Sequence, residues 1–164
     1  MRRLPTGRQL LWTVALLALL AGAASWWQAE RATAGVRARD AATAAGRTAA
    51  EVLGSADGRD PEGTRARWRA VADGPLRSRL EVAATDPAED VATGTTTSAT
   101  VAEAALTRLD REAGTAGLIA VLRLRQTLAD GTVTTDRRRV AVELVRRDGG
   151  WKASGLTTVP VGAP

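Results

Sequence analysis

From Leu10 to Trp27 the chain reads LLWTVALLALLAGAASWW, eighteen positions without a charge. A helix of that length rises about 27 Å, close to the hydrocarbon thickness of a bilayer at about 30 Å. Trp12 lies near one end and Trp26 and Trp27 at the other, where indole rings favour the membrane interface. Arg2, Arg3 and Arg8 precede the run with no acid among them. Positive charge is retained on the cytoplasmic side. The pattern therefore predicts a single-pass transmembrane helix over 10–27, a cytoplasmic basic arm over 1–9, and everything after it outside the cytoplasm. A cleaved signal peptide competes, with Ala21-Gly22-Ala23 as its small-residue site. Both readings export the remainder.

Beyond the apolar run the period becomes helical. Glu30–Leu53 is rich in Ala, the best helix former, with polar positions at Arg31, Arg39, Asp40, Arg47 and Glu51. Val36, Ala44, Ala45, Ala49, Val52 and Leu53 suggest a weak apolar stripe. Gly54-Ser55-Ala56-Asp57-Gly58 is expected to end this helix, making 28–58 a stalk and first domain helix. Asp60-Pro61-Glu62 starts another helix, with a capping Asp, Pro in the first turn and an acid near the positive pole. It carries Trp68 and Val71 and stops near Asp73-Gly74-Pro75. Leu76, Leu80 and Val82 suggest a further short helix, as do 86–91. Thr93 to Ser98 reads as a connector.

The period then becomes two. Thr100–Leu109 reads as a strand. In Leu118–Leu128, Leu118, Ala120, Leu122 and Leu124 share one face while Arg123 and Arg125 take the other. Ala129-Asp130-Gly131 turns the chain into Thr132–Arg146, where Val140, Val142 and Leu144 alternate with Arg139, Ala141 and Glu143. Asp148-Gly149-Gly150 turns it again into a last strand, Trp151–Val159. The predicted fold is α+β, helices followed by an antiparallel meander, with the domain over 59–160 and a short tail over 161–164.

Composition narrows the chemistry. There is no Cys and no His, so disulfides, thiolate nucleophiles and the commonest metal ligand and general base are excluded. Five serines have no imidazole to activate them. Asp86, Glu89 and Asp90 form the densest acidic cluster, without the spacing of a calcium loop. No catalytic residue, cofactor or metal is expected. Phe and Tyr are absent, which makes Trp68 and Trp151 the expected large anchors of the core.

The net charge of +5 divides unevenly. Once the arm is set aside, 20 basic residues face 18 acids. Residues 117–164 hold 8 basic residues against 4 acids. The basic positions Arg137, Arg138, Arg139, Arg146 and Arg147 are candidate contacts for an anionic partner, or else charges that guard the faces and edges of a sheet. Nucleic acid is not an expected partner, because the domain lies outside the cytoplasm and lacks basic-aromatic interleaving.

Three segments carry a resemblance: Ala41–Leu53, Leu118–Gln126 and Arg139–Leu156 (RVAVELVRRDGGWKASGL). With the arm and apolar run, the layout resembles the Mce-associated membrane proteins of actinobacteria. Their closing hairpin likewise joins a strand, a D-G turn and a Trp-initiated strand. The resemblance implies a cone-shaped, nuclear-transport-factor-like domain with helices packed on a curved antiparallel sheet. It also implies a non-enzymatic accessory or scaffold role in an Mce-type lipid-import complex, with the bilayer and envelope proteins as partners and no oligomeric state assigned. Isomerases of this fold use Tyr and an acid pair, and the chain has no Tyr. Two alternatives stand beside this reading: a subunit of a conjugation or secretion machine, and a small-ligand-binding domain.

Overall fold

The computed structural model describes residues 33–83 and 94–160. The proposed membrane segment with Trp12, Trp26, Trp27, Arg2, Arg3 and Arg8, the acidic cluster over 86–90 and the tail over 161–164 lie outside the described residues. Among the described residues, no helix is long and apolar enough to cross a membrane.

Helix α1 spans 33–54. Within the compact unit Arg39–Pro164, its buried positions are Ala42, Gly46, Ala49 and Ala50, one stripe at helical spacing. This stripe is rotated from the expected one: Ala44 is exposed, and Val36 is 59% exposed. Small side chains won the buried face because α1 lies very close to the sheet. A Cβ on Gly46 would stand 2.9 Å from Leu118 Cδ1 and 3.2 Å from Leu144 Cδ1.

The expected turn after α1 holds a two-residue strand, β1 (Ala56–Asp57). Helix α2 (Pro61–Val71) starts as its sequence suggests, with the Asp60 carboxylate accepting the Gly63 N–H at 2.9 Å. Helix α3 (Gly74–Ala83) follows, entered through Gly74 at φ +52°.

Four long strands form the meander: β2 (Thr96–Asp110), β3 (Thr115–Thr127), β4 (Val133–Arg147) and β5 (Gly150–Thr158). The five strands form one antiparallel sheet in the order β1-β2-β3-β4-β5. The connector expected over Thr93–Ser98 is shorter than anticipated, since Thr96 and Thr97 pair with Thr127 and Gln126 and also with β1. Register irregularities between Val101 and Glu103, and again between Leu106 and Arg108, re-phase β2 and add local bend and twist.

The core lies between the helices and the inner face of the curved sheet. Leu118, Ala120 and Leu122 of β3 and Val140, Val142 and Leu144 of β4 are buried there, as alternation predicts. Val71, Ala72, Leu76 and Leu80 bring α2 and α3 to the same cluster. The tryptophans are not its centre. Trp68 and Trp151 are half-buried, and the largest fully buried side chains are Leu118, Leu144, Val142 and Thr64. Trp68 instead acts through its indole N–H, which donates to Val52 O at 3.0 Å and Ser55 O at 2.8 Å and so ties α2 to the end of α1. Close approach of α1 at Gly46 and Gly54 leaves the centre of the core to small and aliphatic side chains, with Trp151 packed at its margin.

Polar residues of α1 complete the outer edge of β2. Glu51 Oε1 accepts the Val101 N–H at 2.8 Å, Ser55 Oγ accepts the Ala99 N–H at 2.9 Å, and Arg47 donates to Val101 O at 3.4 Å. Arg47 and Glu51, four apart on one face of α1, and Ser55, just past its end, stand in for a neighbouring strand. Glu51→Ala strands a partly buried N–H, and the expected loss is about 1–3 kcal/mol. Urea unfolding of the full chain in matched detergent measures it; Glu51→Gln, which keeps an acceptor oxygen, is expected to retain most of the stability.

Candidate interaction surfaces

The basic positions singled out from the sequence do not form one patch. On β4, residues 138, 140, 142 and 144 share the inner side, and Arg137 and Arg139 the outer. Arg138 stands at the open end of the sheet, with its Nε 3.2 Å from Asp136 Oδ2. Arg146 lies opposite Trp151, and its N–H donates to Gly114 O at 2.7 Å. Arg147 reaches Asp73 at the start of α3 through its Nε. The run is dispersed because strand side chains alternate and the strand spans most of the sheet's length; apart from Arg146, it falls into three placements.

The first placement borders a cavity of about 340 Å³ between the end of α1 and the sheet. Its apolar floor includes Leu53, Leu122, Leu124, Val140 and Leu156; its rim includes Gln126, Thr134, Asp136, Arg138 and Thr158. Deeper in, the cone is filled by Leu118, Val142 and Leu144. The Asp136 carboxylate on the rim is engaged twice, by Arg138 and by the Arg137 N–H at 2.7 Å. Among the described residues, pairing between β4 and β5 begins at Val140, so 133–138 of β4 have no strand partner on that side. The charges of Asp136, Arg137 and Arg138, with the capped N–H, discourage addition of another strand there.

The second placement is a ledge where α2, α3, β4 and β5 meet, with Arg69, Arg77, Arg147 and Lys152 around Asp73. Its cations are mostly spoken for. Lys152 Nζ donates to Ala70 O at 2.6 Å, Arg77 pairs with Glu81 at 3.1 Å, and Arg147 holds Asp73. The Arg147 guanidinium, with the Gly74 N–H, keeps the Asp73 carboxyl below the usual carboxylate range. A carboxyl depressed in the folded state stabilises it above the unfolded value, near pH 3.9, and that contribution disappears as pH falls through the folded value. Asp73→Asn is therefore expected to lower the melting temperature at neutral pH and to flatten its decline below about pH 4. Thermal melts of wild type and variant across that range check it. Asp57 and Asp130 are also depressed, by the Arg59 and Thr132 N–H groups first, so a residual acid dependence is expected in the variant.

The third placement is the outer face of the sheet. Here Arg123 and Arg125 of β3 join Arg137 and Arg139 of β4, with Arg123 directly opposite Arg137. Among the described residues, no helix covers this face. The alternation in Leu118–Leu128 had put Arg123 and Arg125 on a common face; what was missing was the register, set by the Leu128–Thr132 turn, that brings them against Arg137 and Arg139. In that turn Thr132 donates its N–H to Asp130 Oδ1 at 2.8 Å, and Gly131 has φ +86°.

No family profile matches the chain, the Mce-associated family included, and no curated protein matches it. Solved structures do. The chain is similar to CagV, a VirB8 homolog of the type IV secretion system of Helicobacter pylori. That match has a TM-score of 0.58 and 7% identity over 73% of this chain and 97% of the other. It is similar to a TrwG component of a type IV secretion system from Bartonella birtlesii, with a TM-score of 0.52 and 8% identity over 71% and 88% of the two chains. An Ntf2-like protein involved in plasmid conjugation matches with a TM-score of 0.50 and 9% identity over 75% of this chain and 49% of that one. The shared feature is the fold: helices on a curved antiparallel sheet.

Proposed function

We propose that this chain is a membrane-anchored, non-enzymatic subunit of an envelope-spanning conjugation or secretion machine. The observation that carries the reading is the recurrence of its fold in the secretion and conjugation domains just described. The uncharged run over 10–27 with its arginine arm supports it: by the positive-inside rule such a run puts the N-terminus in the cytoplasm and the domain outside. The absence of His and Cys removes the commonest general base and thiol nucleophile, which agrees with a docking role. The lipid-import reading yields to this one, because its family resemblance finds no match while transfer-system folds recur. In this role the domain is a rigid body, tethered near the membrane, whose sheet and helix faces position other subunits. Its partners are the bilayer and envelope proteins; nucleic acid is not among them.

Chemical crosslinking in native membranes, followed by mass spectrometry, tests the reading. The expected adducts are components of a transfer or secretion apparatus, and deletion of the gene is expected to abolish transfer or secretion. Adducts confined to lipid-import proteins, or release of the intact chain by alkaline carbonate, would overturn it.

A further inference from the structure

On the outer face of the sheet the charges are arranged against the interest of folding. Arg123 and Arg137 are cross-strand partners, and Arg125 and Arg139 lie on the same face two residues along each strand. Like charges directly opposite one another on a sheet weaken it. Some arginines do meet acids: Arg108 pairs with Glu143 at 2.8 Å on this same face, Arg77 with Glu81, Arg138 with Asp136 and Arg147 with Asp73. Among the described residues, none of Arg123, Arg125, Arg137 and Arg139 has an ion-pair partner, and all four are exposed. Beside them the face turns apolar. Ile119 is 37% exposed, and Val121 and Ala141 are half-buried.

We infer that this face docks an acidic segment of another protein, one whose carboxylates meet the four arginines while apolar side chains rest on Ile119 and Val121. A second copy does not fit. It would bring the same four cations, and its acids on this face are largely committed: Glu143 to Arg108, and Asp110 to the N–H groups of Glu112 and Ala113 at 3.0 and 2.9 Å. Among the described residues, only Glu103 on this face is left to answer them. A lipid surface fits less well than a protein. Trp68 and Trp151, the rings suited to a head-group boundary, lie elsewhere. Guanidinium groups grip carboxylates in pairs of parallel hydrogen bonds, which gives such a partner both register and a fast, salt-sensitive encounter. The inference deepens the proposed function by stating the partner's chemistry, and it rests on that reading for the partner's setting.

The test uses the full chain in a neutral detergent and a fluorescent peptide of alternating Glu and Val, with a Gln-for-Glu peptide beside it. The Glu peptide is expected to bind, more weakly as salt rises, and the Gln peptide not to bind. Arg137→Glu is expected to weaken binding by about tenfold or more. The same substitution is expected to raise the melting temperature by about 1–4 °C, because the new carboxylate faces Arg123. Arg123→Gln, which introduces no new charge, should weaken binding in the same direction. Arg79→Glu on α3 makes the same change in net charge away from the face and should shift affinity by no more than about twofold. Equal weakening by Arg79→Glu and Arg137→Glu would overturn the inference. So would failure of the Glu peptide to bind, or a preference for phosphatidylglycerol vesicles over the peptide. Unchanged binding in Arg137→Glu sinks this inference and leaves the proposed function standing; absence of transfer-machine adducts in native membranes does the reverse.

Discussion

Leu118→Ala is expected to destabilise the domain by about 2–5 kcal/mol, the largest single loss in the molecule. Leu118 is 1% exposed, sits on the inner face of β3 and packs under Gly46 of α1. Three strands and a helix converge there, so little can collapse into the space left behind. Urea unfolding of the full chain in matched detergent measures the loss. A second substitution tests the cause. In the wild type, a Cβ at Gly46 would lie 2.9 Å from Leu118 Cδ1, so Gly46→Ala forfeits its gain in helix propensity to a clash. Once Leu118 is truncated the clash is gone. The double variant is expected to be more stable than the sum of the two losses by about 1 kcal/mol. Strict additivity would mean that α1 does not lie on β3 as described.

Gly54→Val is the second. A Cβ at Gly54 would stand 2.8 Å from the Ala99 Cβ and 3.1 Å from Leu122 Cδ1. The first of these is a methyl on the backbone of β2 and cannot rotate away. The branched side chain must push the end of α1 off the sheet, and the expected loss is about 1–3 kcal/mol. The shift would also disturb the neighbouring bond from the Ala99 N–H to Ser55 Oγ, so amide exchange at Ala99 is expected to accelerate. Stability equal to wild type would contradict the close approach on which the helix–sheet packing depends.

How legible this was in advance varied with the range of the information needed. The β3 and β4 hairpin could be read directly, because Leu118 to Leu124 and Val140 to Leu144 alternate cleanly and a Gly-containing turn joins them. The start of α2 was equally local, written in Asp60-Pro61-Glu62. The packing face of α1 was not, since an Ala-rich helix offers nearly equal stripes and the sheet chose the one containing Gly46. The expectation that rings would anchor the core held only in part: Trp151 packs against it, half-buried. Close approach by glycine and alanine left its centre to small and aliphatic side chains, and Trp68 became a hydrogen-bonding tie. The roles of Arg47, Glu51 and Ser55 depend on contacts some fifty residues away. The basic run over 137–147 reads as one feature in the sequence, whereas alternation and strand length disperse it. Arg123 and Arg125 were assigned the correct face but not their neighbours. The resemblance to Mce-associated proteins anticipated the fold, while no family profile matches the chain; one fold serves many partners.

The central claim is that this domain is a docking body in a transfer machine, with its outer sheet face turned to a partner. A photo-crosslinking amino acid placed at Ile119 in the full chain, activated in native membranes, tests it most directly. The expected result is an adduct with a conjugation or secretion subunit, joined through an acidic segment and lost in Arg137→Glu. Adducts only with lipid-import proteins or with lipid, or none while the same probe at an inner position also yields none, would contradict the account.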